Sequence, residues 1–207
     1  MRCWKVIIYL LLLKKWKISD SSRFMMICSE RGRMMKKIYL IGFMGSGKSA
    51  IGRRLSFLLK IPYYDMDQEI VKKMNMSIPE IFARYGEAFF RQQEHEYLKT
   101  FRDEWCIIST GGGVAINPSN SKLMRQTGLV LFLDATFADI WKRISRDVNR
   151  PIVQSSTREE LETLFTTRRR YYKSAAHILI RTEGRSLRQI TEYAAFQVNR
   201  LKSNDMN

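Results

Sequence analysis

From residue 36 onward, short apolar runs alternate with stretches in which apolar residues recur at helical spacing. Five runs read as buried strands: Ile38–Ile41, Pro62–Asp65, Cys106–Thr110, Leu129–Asp134 and His177–Arg181. Helical spacing predicts helices over 48–59, 67–74, 78–85, 88–102, 117–127, 137–145, 158–175 and 187–202. Asn117-Pro118 supplies a cap and a first turn. Strand and helix in alternation predict an α/β domain on a parallel sheet. In such open sheets the ligand site lies beyond the carboxyl ends of the strands. The segment after the first strand, Asp65 and Asp67, and Gly111-Gly112-Gly113 are therefore expected on one rim. Residues 146–157, polar and interrupted by Pro151, read as a mobile surface loop.

The first strand runs into Gly42-Phe43-Met44-Gly45-Ser46-Gly47-Lys48-Ser49, which fits the phosphate-loop pattern G-x-x-x-x-G-K-[ST]. Glycines let the backbone wrap a polyphosphate with successive N–H groups pointing at it. Lys48 is expected to reach the β- and γ-phosphates and the Ser49 hydroxyl to ligate Mg²⁺. The helix that follows turns its N-terminus toward the anion.

Residues 1–33 differ from the rest. An apolar run, Val6 to Leu13, is flanked by Lys5, Lys14, Lys15 and Lys17. It is far short of the roughly 20 apolar residues that span a bilayer. No small-residue cleavage site follows it. The folded domain is expected over 34–207. Residues 1–33 read as an accessory extension without order, or as a start assigned too far upstream; a membrane-surface anchor is the alternative.

The formal net charge is +16. A basic surface suits nucleic acid or small anionic substrates. No arginine-rich run or nucleic-acid module is present, which favours small anions. The cysteines at 3, 28 and 106 form neither a disulfide framework nor a zinc spacing, so a reducing, cytoplasmic setting is expected. Cys106 reads as core. His95 and His177 are isolated, one on a surface helix and one at a strand start.

Four constellations surround the loop. Asp65-Met66-Asp67 places two carboxylates on one face if the strand continues. One could order Mg²⁺ or take a proton from an attacking hydroxyl, and the other could bind substrate hydroxyls; an N-cap aspartate is the plainer reading. Arg91 and Glu94 stand at i, i+3 and can pair. Either this is a solvated surface pair, or Glu94 orients Arg91 for a bidentate grip on a substrate carboxylate. Three glycines, 111–113, weaken the chain locally, which close backbone approach to a ligand would explain. Arg143, Arg146 and Arg150 surround the loop 146–157, and Arg168-Arg169-Arg170 follow it. Arginines on a closing loop neutralise charge in phosphoryl transfer and exclude water. Consecutive arginines 168–170 cannot all face one site.

In this order the motifs resemble the shikimate kinase family over nearly the whole body from Met35. The family pattern appears as Gly42–Ser49, Asp65-Met66-Asp67, Gly86 to Glu94, Gly111–Gly113, Arg150-Pro151-Ile152-Val153, and Arg168 to Tyr172. The resemblance implies a P-loop three-layer sandwich with parallel strand order 2-3-1-4-5 and a mobile lid. It implies transfer of the ATP γ-phosphoryl group to the shikimate 3-hydroxyl, with Mg²⁺. By the same resemblance, Gly45, Ser46, Gly47, Lys48, Ser49 and Ala50 bind ATP, with Arg143 and Arg185 flanking the adenine. Asp65 sits near the metal through water. Asp67 holds the shikimate hydroxyls and acts as base. Arg91 and Arg168 clamp the carboxylate, supported by Glu94, and Gly111, Gly112 and Gly113 lie against the ring. Lys48, Asp65, Asp67 and Arg150 form the catalytic set, Arg150 closing on the transferring phosphate. The lid reads Pro-Ile-Val where the family has Pro-Leu-Leu, and the last strand ends in Arg181 where an aspartate is common. The other readings are a sister kinase such as a gluconate kinase, or a nucleotide-dependent binding module. A monomer with no nucleic-acid or membrane partner is expected.

Overall fold

A computed structural model describes residues 37–103, 105–145 and 156–204, all within the unit Met35–Asn207. The extension 1–33, the lid residues 146–155 and Arg150 with them lie outside the described residues.

The strands are β1 (Lys37–Ile41), β2 (Tyr63–Asp65), β3 (Cys106–Ser109), β4 (Gly128–Asp134) and β5 (Ile178–Arg181). They form one parallel sheet in the order β2-β3-β1-β4-β5, as expected. Ile38 stands beside Ile107 on one side and Leu129 on the other, and Leu131 stands beside Ile178. Every residue of β3 and β4 is buried, which is what helices on both faces of a parallel sheet require.

Each strand differs from expectation by one residue at one end, and two of these shifts have local reasons. Pro62 lacks an N–H, so β2 starts at Tyr63, yet the Pro62 carbonyl still accepts from Ile107 N at 2.8 Å. His177 precedes β5. Its N–H donates to the Val130 carbonyl and its Nδ1 accepts from Val130 N at 3.0 Å. Burial, with Arg125 nearby, holds its pKa down at about 4.

The helices are α1 (Lys48–Leu59), α2 (Met66–Met74), α3 (Ile78–Thr100), α4 (Pro118–Thr127), α5 (Phe137–Ile144), α6 (Arg158–Ala175) and α7 (Leu187–Asn204). A short 3₁₀ turn spans Val114–Ile116. Ser77 and Thr157 open α3 and α6 with capping boxes to Glu80 and Glu160, and Asn117 caps α4 ahead of Pro118. The two helices expected at 78–85 and 88–102 meet at Gly86, whose φ of 81° breaks the helical path within α3.

Helix α1 packs on α7, while α4 packs against α3 and α6. The larger core joins Tyr39, Ile41, Ile108, Val130 and Phe132 of the sheet to Met66, Ile81, Phe90 and Ile140. Burial of each such aliphatic side chain contributes about 1.5–3 kcal/mol relative to exposure. Cys106 is part of this core, as expected, and burial pushes its thiol up to about 11.

Candidate active site

The loop after β1 is pinned from below and open above. Phe43 is buried and meets Phe165 of α6 edge-on at 5.5 Å. Gly47 occupies the N-cap position of α1 at φ 92°, with no side chain to occupy the first-turn N–H groups. Those donors and the helix dipole make an anion seat. Lys48 is buried, and its ammonium donates to the carbonyls of Gly42 and Phe43 at 2.9 Å each. Its charge is thereby held over the loop. Ala50, also in the first turn of α1, is exposed.

Asp65 ends β2 at the foot of α1. Its Oδ2 accepts from the Ser49 hydroxyl at 2.9 Å and from the Tyr63 hydroxyl at 3.0 Å. Hydroxyl and carboxylate together form a hard-oxygen pair of the kind Mg²⁺ takes. No group of three or more His, Cys, Asp or Glu suited to a metal occurs among the described residues.

The same-face expectation for Asp65 and Asp67 needs correction. The strand does not continue: α2 begins at Met66, whose side chain is fully buried, and Asp67 stands in the first helical turn. Helical rotation sends the two carboxylates to different neighbours. Asp65 meets the phosphate-loop helix, while Asp67 Oδ1 lies 2.8 Å from where a Cβ on Gly111 would stand. The plainer reading holds in position only: Asp65 is the N-cap residue of α2 at the strand end, but its side chain makes no cap bond.

Arg91 and Glu94 follow the break at Gly86. Arg91 Nη1 donates to both Glu94 oxygens at 3.0 and 2.9 Å, and its Nε and Nη2 reach Glu87 at 3.1 and 2.6 Å. Glu94 has no exposed surface, which excludes a solvated surface pair. Burial pushes its carboxyl up to about 7 against the pull of Arg91; Asp67 and Glu87 push the same way. The role of Glu87 was missed, although its i, i+4 spacing to Arg91 was there to be read.

The triple glycine closes the floor between these groups. A Cβ on Gly111 would stand 2.7 Å from Glu94 Oε1, and one on Gly113 would collide with the Arg91 guanidinium. Gly112 lies over the phosphate loop, its Cβ position 3.5 Å from Met44 N. The Tyr172 hydroxyl donates to the Gly112 carbonyl at 2.6 Å. Gly111 and Gly113 are needed because charged groups approach their backbone too closely for a Cβ, whereas a Cβ on Gly112 would meet only ordinary contacts.

The consecutive arginines 168–170 of α6 separate, as their spacing required. Half-buried Arg168 lies 6.0 Å from the Phe43 ring on the site side. Arg169 grips Asp134, at the end of β4, with two bonds of 2.7 and 2.6 Å. Arg170 points outward over Tyr171. Arg143 donates to the Gly45 carbonyl at 2.9 Å, on the phosphate loop. Arg185 donates to the Arg181 carbonyl at 2.9 Å and stacks near Tyr193.

A parallel 2-3-1-4-5 sheet whose β1 feeds a phosphate loop, with carboxylates and arginines on the same rim, defines a P-loop phosphotransferase. A family model described as "Shikimate kinase" matches residues 44–198. The chain is 40% identical over 158 residues to a shikimate kinase of Enterococcus faecalis, covering 75% of this chain and 94% of that one. It is 42% identical over 140 residues to that of Aquifex aeolicus, covering 67% and 83%. A solved shikimate kinase from Acinetobacter baumannii, in complex with shikimate, superposes with a TM-score of 0.75 at 33% identity, over 84% of this chain and 97% of that one. The chain belongs to the shikimate kinase family, kinases that use ATP as co-substrate. A gluconokinase from Sinorhizobium meliloti matches at a TM-score of 0.51 and 14% identity, a likeness of fold alone.

No helix among the described residues is long and apolar enough to cross a membrane.

Proposed function

We propose that this chain transfers the γ-phosphoryl group of Mg²⁺-ATP to the 3-hydroxyl of shikimate, with residues 34–207 as the catalytic domain, acting as a cytoplasmic monomer. The observation that carries the reading is the buried Glu94–Arg91 pair against Gly111–Gly113, one loop away from Lys48. It supports the reading because it holds a cation on the same rim as the phosphate loop, as a carboxylate substrate would need.

Gly45, Ser46, Gly47 and Ala50 surround the ATP phosphates, and Lys48 leaves its carbonyls for the β- and γ-oxygens. Arg143 and Arg185 border the nucleotide. Ser49 and, through water, Asp65 hold Mg²⁺, which when bound draws charge from the phosphate oxygens. Arg91 and Arg168 clamp the shikimate carboxylate. Asp67 accepts the 3-hydroxyl proton as that oxygen attacks the γ-phosphorus, and the broken P–O bond leaves its electrons on ADP. Arg150 closes over the transferring group and excludes water.

The test is a coupled ADP-release assay on the full chain with Mg²⁺-ATP and shikimate, gluconate or no acceptor. Shikimate-dependent turnover is expected. Turnover with gluconate alone would move the chain to a sister activity, and ADP release indifferent to both would leave only nucleotide binding.

A further inference from the structure

Tyr172 is the buried polar group on this rim that the reading above does not use. Its ring packs against Phe132 at 5.3 Å between centroids and is only 1% exposed. Phenylalanine would fill that space equally well. A buried hydroxyl is a cost to the fold unless its hydrogen bonds are made, so the oxygen needs an explanation of its own.

The oxygen's surroundings supply it. A phenol has one proton to donate and lone pairs to accept with. The proton goes to the Gly112 carbonyl at 2.6 Å. Burial pushes the phenol up to about 12, so it keeps that proton at working pH. Arg168 stands one helical turn earlier on the same face of α6, and its charge, with that of Arg91 on α3, pulls the phenol back down against burial. Gly112 in turn lies against Met44 N and the Gly42 carbonyl, at the mouth of the phosphate loop. One oxygen thus ties α6 to the middle of the triple glycine, whose next residue, Gly113, lies against the Arg91 guanidinium.

We propose that Tyr172 is a positioning residue for shikimate: its hydroxyl fixes the Gly112 peptide to the turn of α6 that carries Arg168, and so sets that arginine against the Arg91 that lies beside Gly113. The inference rests on the clamp reading of those arginines. Without the oxygen, the Gly112 carbonyl is left unpaired and the tie between α6 and the triple glycine is lost. The acceptor site loosens while the nucleotide seat, held by Lys48 and α1, does not.

Tyr172→Phe in the full chain tests this, with the neighbouring, half-exposed Tyr171→Phe as control. Expected is a rise in shikimate KM of roughly tenfold, the size of one buried acceptor left unpaired. The KM for ATP is expected to stay within about twofold, and kcat to fall less than the specificity constant. The rise in melting temperature on adding shikimate should shrink, while that on adding ATP persists. An unchanged shikimate KM overturns the proposal. So does an equal rise in both KM values, or a variant that no longer melts cooperatively, because either makes the hydroxyl a support of the fold alone. Arg168→Ala, measured alongside, separates the two levels. A raised KM there with none in Tyr172→Phe overturns this inference and leaves the clamp standing. An unmoved KM in Arg168→Ala overturns the clamp, and the inference with it.

Discussion

Glu94 is fully buried and takes two hydrogen bonds from a single nitrogen of Arg91, while Gly111 passes close enough that a methyl group there would strike one of its oxygens. The pair is therefore set before any substrate arrives.

Its burial has a pH signature. The Glu94 carboxyl ionises at about 7 in the fold, against 4.5 for an ordinary glutamate. Between those values the folded protein holds a proton that the unfolded chain has released. The contribution to stability is therefore full below about pH 4.5 and is lost as pH rises through about 7. Melting curves across this range should show that decline in the wild type and a flatter profile in Glu94→Gln. The shikimate KM should rise as pH falls below about 7, because a protonated Glu94 stops holding Arg91.

Arg91→Ala should raise the KM for shikimate at least tenfold, on the order expected for a lost charge-assisted clamp. The KM for ATP should move little. Equal effects on both, in steady-state kinetics with each substrate varied, would argue against a role confined to the carboxylate.

Lys48→Ala and Asp67→Asn should each lower kcat by on the order of 100-fold or more, the usual scale for a lost charge stabiliser or proton acceptor. Circular dichroism should report an unchanged fold. A well-folded Asp67→Asn enzyme with normal turnover would remove Asp67 as the base.

Gly111→Ala should cost activity without altering any charged group. The added carbon would stand 2.7 Å from Glu94 Oε1 and 2.8 Å from Asp67 Oδ1, so both carboxylates must shift. Single-turnover rates with saturating ATP should fall, while the ATP-induced rise in melting temperature is retained.

Asp134→Asn should destabilise the fold by about 1 kcal/mol in urea unfolding, since Arg169 keeps part of its hydration when the pair is broken. Its guanidinium is 41% exposed, whereas Asp134 is nearly buried.

What was legible in the chain was what local spacing encodes. The strand runs, the caps at Asn117, the break at Gly86, the phosphate loop and the Arg91–Glu94 pairing depend on residues a few positions apart, where backbone geometry leaves few choices. The strand order came from the resemblance of six ordered motifs to a family and not from periodicity. The errors lie where chain direction changes or where distant segments meet. Asp65 and Asp67 part company because a helix starts between them at Met66. Arg168, Arg169 and Arg170 are equivalent as letters, and only the packing of α6 on β4 assigns one to the site, one to Asp134 and one to solvent. Tyr172 and Gly112 stand 60 positions apart. No spacing rule links them, and their hydrogen bond exists because the sheet brings the loop after β3 beneath α6. The sequence by itself determined the elements, the phosphate loop and the residue types of the site. The tertiary structure decided which charges face one another and which are buried, because burial and long-range pairing arise only when the layers close.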